Sequence, residues 1–225
     1  MSLKHQQLKS KGGGKMKKTL SFALLVCLLF TYGCASAPFC NSGKLQTEID
    51  SLKSELQTCQ KERDKQVSNL EDAKRSLEES LKKEIAEQRA KLEMTERGLV
   101  VTFMAEVFFD SGKATIREEA TPILKDVAEV LSTDVSENLV AIEGHTDNVP
   151  IKYSGWKSNW ELANARALAV LHYFVDECQI EPIRLSAVSF GEYNPVADNE
   201  TPEGRQKNRR VEVVILPPLV KDTAD

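Results

Sequence analysis

The sequence predicts an α/β fold of the α+β kind, a two-layer domain with helices packed on one mixed β-sheet and a long coiled-coil helix in front of it. Three observations carry that expectation. A stretch from Gly43 to Arg97 is rich in Glu, Lys, Gln, Ser and Leu and holds no Pro or Gly in its interior. After Gly98 short apolar runs alternate with helical periodicity. With 225 residues, 28% charged and 41% apolar, the chain has room for one ordinary globular domain plus something extended.

In the first 47 residues there is no Asp or Glu, while Lys15, Lys17 and Lys18 precede an apolar core from Leu20 to Phe30. A core of that length falls short of the roughly 20 residues a spanning helix needs, so residues 1–34 read as a leader and secretory signal. Either Met1 or Met16 starts the natural chain. The run "TYGC" resembles a bacterial lipobox, which makes Cys34 the expected lipidation site and acyl chains the expected membrane anchor. Ala35 after that cysteine favours the outer membrane, by resemblance to lipoprotein sorting. The "ASA" at Ala35 to Ala37 is the rival cleavage site, but Pro38 follows it directly. Cys40, Cys59 and Cys178 remain, an odd number that gives no internal disulfide framework.

Residues 35–43 read as a linker and 44–97 as the long helix. Leu45, Ile49, Leu52, Leu56, Cys59, Leu70 and Leu77 follow a four-three spacing, the stripe of a coiled coil, favoured with a second copy, the alternatives being a different partner or a solvated spacer helix. Arg63 and Gln66 interrupt the stripe, and Leu77, Leu81 and Ile85 at spacings of four shift its register. If helical throughout, the segment reaches roughly 80 Å at 1.5 Å per residue.

Residues 98–217 form the expected domain, with 218–225 as a tail. "LVVTFMAEVFF" reads as one or two strands, "REEATPILKDVAEVLS" as a helix and "NLVAIEG" as a short buried strand. A second helix starts near Trp160, where Ser158 and Glu161 match a capping box; Trp160, Ala163, Ala167, Val170, Leu171 and Phe174 share one stripe. "RLSAVSF" is a strand, Thr201 and Pro202 open a short helix, and "RRVEVVIL" is a final strand stopped by Pro217 and Pro218.

A net charge of -4 argues against a nucleic-acid partner. His145 lacks companions at metal-ligand spacing, and no serine elbow or activated cysteine is present, so neither a metal, a cofactor nor catalysis is expected. From local sequence alone, "IEGHTDNVPI" can be a turn in which Gly144 bends the chain and Asp147 or Asn148 caps its own backbone.

Four segments in order, "VFFDSGKATI", "IEGHTDN", "NWELANARA" and "GEYNPVADNETPEGRQKNRRVEV", resemble the OmpA-like peptidoglycan-binding domain family, shared by OmpA C-terminal regions, the Pal lipoprotein and MotB. The resemblance covers Leu99 to about Leu216. It implies a non-catalytic module whose partner is peptidoglycan, held at the diaminopimelate of its stem peptide. Such a zwitterion needs an acceptor for its ammonium and a donor for its carboxylate. The resemblance assigns these to Asp147 and Arg166, with Thr146 beside them, Asp110, Ser111 and Gly112 at the mouth, and Asn208 and Arg210 near the same edge. Adjacent residues of a strand point to opposite faces, so Arg209 and Arg210 should separate. Between Asp147 and Arg166 the chain is longer than in Pal-like members and closer to MotB-like ones, and Ala163 replaces a frequent serine. The implied whole is a peptidoglycan-binding outer-membrane lipoprotein facing the periplasm. A MotB-like stator subunit is the alternative, although Thr19 to Tyr32 carries no Asp, Glu, Lys, Arg or His for an ion path.

Overall fold

The computed structural model describes residues 42–152 and 154–217; the leader, Cys34, Cys40, Tyr153 and the tail lie outside the described residues. The chain divides into two units, residues 1–57 and 58–225. Helix α1 spans Ser42–Ser80. In the first unit it exposes Leu45, Ile49, Leu52 and Leu56. Within the second, the same stripe turns inward: Leu70, Ala73, Leu77 and the following Leu81 are buried in the domain's own core. Ser76 donates to the Asp134 carboxylate at 2.7 Å, fastening this end of the helix. The apolar positions from Leu70 onward therefore serve intramolecular packing, and the expected intermolecular stripe is left with the residues before them.

The long helix does not run to Arg97. A short helix α2, Lys82–Ala86, follows α1, and Gln88 then adopts a left-handed conformation (φ 58°) while Arg89 N–H returns to the Glu84 carbonyl at 2.8 Å. That is a helix stop made without glycine, which is why composition did not reveal it. Strand β1, Ala90–Thr95, comes next and pairs antiparallel with β2, Gly98–Met104. Ala90, Leu92 and Met94 alternate with Lys91, Glu93 and Thr95, the period of a half-buried strand. "AEVF" is also not strand: Ala105–Phe108 is one helical turn, α3, which drops Val107 and Phe108 into the core.

A 3-10 turn, Glu118–Ala120, leads into α4, Thr121–Thr133. Then come β3, Val140–His145; α5, Asn159–Asp176; β4, Leu185–Gly191; α6, Pro202–Asn208; and β5, Arg210–Ile215. The sheet order is β1-β2-β5-β3-β4. β5 is antiparallel to both β2 and β3, whereas β3 and β4 are parallel, joined over the top by α5. The mixed sheet with helices agrees with the predicted class.

Register explains the two faces. Val101 pairs with Val213 and Val213 with Ile142, and these pack with Phe103, Val211 and Ile215 beneath α1, α4 and α5. The opposite face carries a small cluster of Val100, Ala141 and Val214, then a run of buried charge. Gly144 sits where α5 crosses β3: a Cβ there would lie 2.1 Å from the Ala163 carbonyl oxygen. No helix among the described residues is long and apolar enough to cross a membrane.

Candidate ligand-binding site

At the carboxyl end of β3 the chain leaves the sheet through Thr146 and Asp147, both buried. Thr146 N–H bonds the Gly191 carbonyl at 2.8 Å, holding this exit against the end of β4. Asp147 makes the turn anticipated from its type: one carboxylate oxygen accepts from Val149 N–H at 3.2 Å. Its other oxygen accepts from the Arg209 guanidinium at 2.7 Å.

Ser158 caps α5 by accepting from Glu161 N–H, while the Glu161 carboxylate reaches back to Lys157 N–H at 2.8 Å. The helix thereby starts with Asn159 against the turn, where its amide nitrogen donates to the Asp147 and Val149 carbonyls and to Glu192. Two turns on, Arg166 projects into the same space with only 4% of its surface exposed. Its Nε donates to the Lys113 carbonyl at 3.0 Å and an Nη to the Asp110 carbonyl at 3.4 Å. The guanidinium carbon lies 5.4 Å from the centre of the Phe109 ring. Burial, reinforced by the neighbouring Arg209, lowers its pKa to about 10, and Asp147 pulls the other way. The group is still a cation at neutral pH.

These elements enclose a cavity of about 790 Å³ lined by Asp110, Ser111, Gly112, Thr146, Asp147 and Arg166. Five cations, Lys113, Lys152, Arg166, Arg205 and Arg209, face it against the three anions Glu106, Asp110 and Asp147. In a chain of net negative charge, that local excess favours a ligand with more carboxylates than ammonium groups. Gly112 holds a positive φ of 69° and its carbonyl accepts from the Trp156 indole at 2.9 Å, so the longer segment after Asp147 is tied across the mouth. A slightly larger hollow, about 860 Å³, lies beside β1 and holds neither Asp147 nor Arg166.

The cavity thus brings together six of the residues expected from sequence. Asp147 and Arg166 line it without bonding one another; the partner of Asp147 is Arg209, the neighbour of the Arg210 that the resemblance places near this edge. Asn208 and Arg210 stand elsewhere. Asn208 is fully buried, its amide closing the 196–199 loop through Val196, Ala197 and Asn199. Arg210 points to the far face of the sheet, where its Nε meets Glu212 at 2.6 Å. The separation expected of adjacent strand residues decides the pair in favour of Arg209.

On that far face Glu143 and Glu212 are register partners, bridged by the Arg97 guanidinium at 2.8 and 3.1 Å. His145 lies beside them, its Nε2 3.8 Å from Glu143 and both ring nitrogens without a hydrogen-bond partner, its ring stacked on Phe190. The three could face a metal ion, but both carboxylates are already engaged by guanidinium groups of equal total charge. A cation there would have to displace Arg97. Spacing in the sequence hid this group because Glu212 comes from a different strand.

Residues 108–209 match the model of the OmpA family. The chain is 44% identical over 148 residues to Motility protein B of Bacillus subtilis, covering 66% of this chain and 56% of that one. It is 35% identical over 185 residues to the uncharacterized protein YtxE of Bacillus subtilis, 76% of each chain. Among solved structures, a putative MotB like protein from Desulfovibrio vulgaris superposes with a TM-score of 0.62 at 27% identity, over 69% of this chain and 98% of that one. The cell wall anchor of the T6SS from Pseudomonas aeruginosa gives 0.57 at 33% identity, over 63% and 96%. With this fold, this cavity and these relatives, the chain belongs to the OmpA family, and its C-terminal domain is of the non-catalytic, peptidoglycan-binding OmpA-like kind.

Proposed function

We propose that the cavity holds the peptide stem of peptidoglycan at a diaminopimelate residue, so that the chain ties a membrane to the cell wall. The observation that carries this reading is the placement of a buried carboxylate, Asp147, and a buried guanidinium, Arg166, on one cavity wall. Asp147 receives the ligand's ammonium, sharing its carboxylate with Arg209. Arg166, already anchored through two backbone carbonyls, offers its remaining N–H groups to a ligand carboxylate. Sedimentation with purified sacculi tests it: Asp147→Ala and Arg166→Ala should each leave the protein in the supernatant. Retention of both folded variants on the sacculi would sink the assignment.

The membrane end of the tether is Cys34, lipidated and seated in the outer membrane on its periplasmic side. A second reading, a stator subunit that grips the wall from the inner membrane, draws support from the likeness to Motility protein B. Mass spectrometry of the mature N-terminus separates them. An acylated Cys34 supports the lipoprotein; an uncleaved leader in a complex with a polytopic membrane protein supports the stator.

A further inference from the structure

The spacing of the α5 stripe predicts a buried Trp160, yet 45% of its surface is exposed. Its indole is stacked against Tyr193, centroids 5.4 Å apart and planes 24° from parallel, and Tyr193 is itself 68% exposed. The backbone around the pair is tied down at several points. Gly191, at a positive φ of 54°, brings its backbone against the indole, where a Cβ would come within 3.3 Å. Ser189 donates to the Trp160 carbonyl at 3.0 Å, and Tyr193 N–H bonds the Phe190 carbonyl at 3.1 Å. The result is two large aromatic rings stacked in water next to the cavity rather than folded into the adjacent core.

The platform is continuous with the cavity. Trp160 follows Asn159, which lines the cavity, and Tyr193 follows Glu192, whose carboxylate takes the Asn159 amide at 2.5 Å. That one amide nitrogen also touches the Asp147 carbonyl. Asn159 thus stands between the Asp147 end of the cavity and the two rings.

We propose that Trp160 and Tyr193 form a sugar-binding subsite that takes the amino-sugar backbone of the wall polymer while the cavity takes its stem peptide. This rests on the peptidoglycan reading above. A β-linked amino-hexopyranose of the gluco series presents the axial C–H bonds at C1, C3 and C5 on one face, an apolar patch about the size of an aromatic ring that stacks on an exposed Tyr or Trp. Its hydroxyl and acetamido groups point outward, within reach of the Glu192 carboxylate beside the platform. The link between sugar and the third stem residue covers about 10 Å when extended, at 3.3–3.6 Å per residue. That length suits neighbouring subsites on one surface.

The test measures binding by calorimetry to the full-length chain held in detergent, with three probes: a disaccharide-tripeptide, the same tripeptide without sugar, and a β-1,4-linked N-acetylglucosamine tetramer. The unaltered protein should prefer the glycosylated peptide by about fivefold or more, the size of one aromatic contact, and should bind the tetramer weakly. Tyr193→Ala should erase both effects while keeping its affinity for the bare tripeptide. Asp147→Ala should do the reverse, losing the tripeptide and keeping the tetramer. Equal affinity for the two peptides, or a preference that survives Tyr193→Ala, overturns the sugar subsite and leaves the peptide site standing. Tetramer binding without tripeptide binding overturns the peptide site alone. If Tyr193→Ala changes only a concentration-dependent self-association and no sugar effect, the rings are a contact between copies and the proposal fails.

Discussion

At the scale of single residues, the site depends on geometry that charge alone does not supply. Arg166 uses Nε and one Nη on two separate carbonyls, Lys113 and Asp110, and still presents a flat fork to a ligand. Lysine, with all its donors on one nitrogen, cannot reach both carbonyls and still present a flat fork to the ligand. Arg166→Lys should therefore weaken stem-peptide affinity by about tenfold or more, since one charge-assisted bond contributes about 1.5–3 kcal/mol and each 1.4 kcal/mol is tenfold. Thermal denaturation run in parallel should move little; an unaltered affinity would show that positive charge suffices there. Gly144 sets a different kind of limit. The Ala163 carbonyl oxygen stands 2.1 Å from the place of any Cβ, so Gly144→Ala must push α5 away from β3. Overpacking costs about 1–3 kcal/mol, and a rigid backbone oxygen puts this case at the upper end. Chemical denaturation measures it, and binding should fall as well because α5 carries Arg166.

At the scale of elements, what was legible in the sequence divides by how local its cause is. The α5 cap, the Thr201 cap, β3 and β5 follow from residues a few positions apart, and the structure has them where the spacing puts them. β1 was hidden because its stop signal is Gln88 in a left-handed conformation and its charged outer residues look helical. Trp160 fits a helical stripe by spacing, but the first turn of α5 overhangs the end of β4 at Gly191, so nothing covers it fully. Arg209 needed the register of β5. The end of α1 is similar: periodicity found Leu70 and Leu77 and pointed to another copy, whereas their partner is the chain's own core, which only the fold brings to them. Since Leu77 is fully buried in that core, Leu77→Ala should cost about 2–5 kcal/mol in the unfolding of the C-terminal domain. A value near zero would mean that the helix end packs elsewhere.

β3 carries a second element-level consequence on its far face. Burial is the main cause that lowers the His145 pKa below its ordinary 6.5, with Arg210 adding to it and Glu143 and Glu212 opposing. The unfolded chain therefore binds a proton near pH 6.5 that the folded chain refuses, so stability attached to this residue declines as pH falls through about 6.5 toward the lower folded value. His145→Phe keeps a ring against Phe190 and removes the titration. Urea denaturation at several pH values should give a shallower loss between pH 7 and pH 5 for that variant than for the unaltered protein. Parallel curves would place the pH dependence on other groups.

For the whole molecule, many copies on one surface matter more than one pocket. A single cavity with two or three charge-assisted contacts, each of about 1.5–3 kcal/mol before the cost of association, cannot by itself hold a membrane to a polymer against mechanical load. On the function proposed above, copies fixed by their N-terminal ends in one surface would meet a ligand repeated along one wall, so after the first contact each further one would form at a high local concentration. The tether should accordingly be weak toward a soluble muropeptide and strong toward intact sacculi. Placed in lipid vesicles at increasing copy number, the chain should retain sacculi with an apparent affinity about 10²–10⁴ times that of its single-site binding. Arg166→Lys should lower that retention by more than it lowers single-site affinity, because the loss repeats at every contact. A retention that rises only in proportion to copy number would mean that the copies do not engage one sacculus together, and the wall attachment would then have to rest on a single tight site that this cavity does not provide.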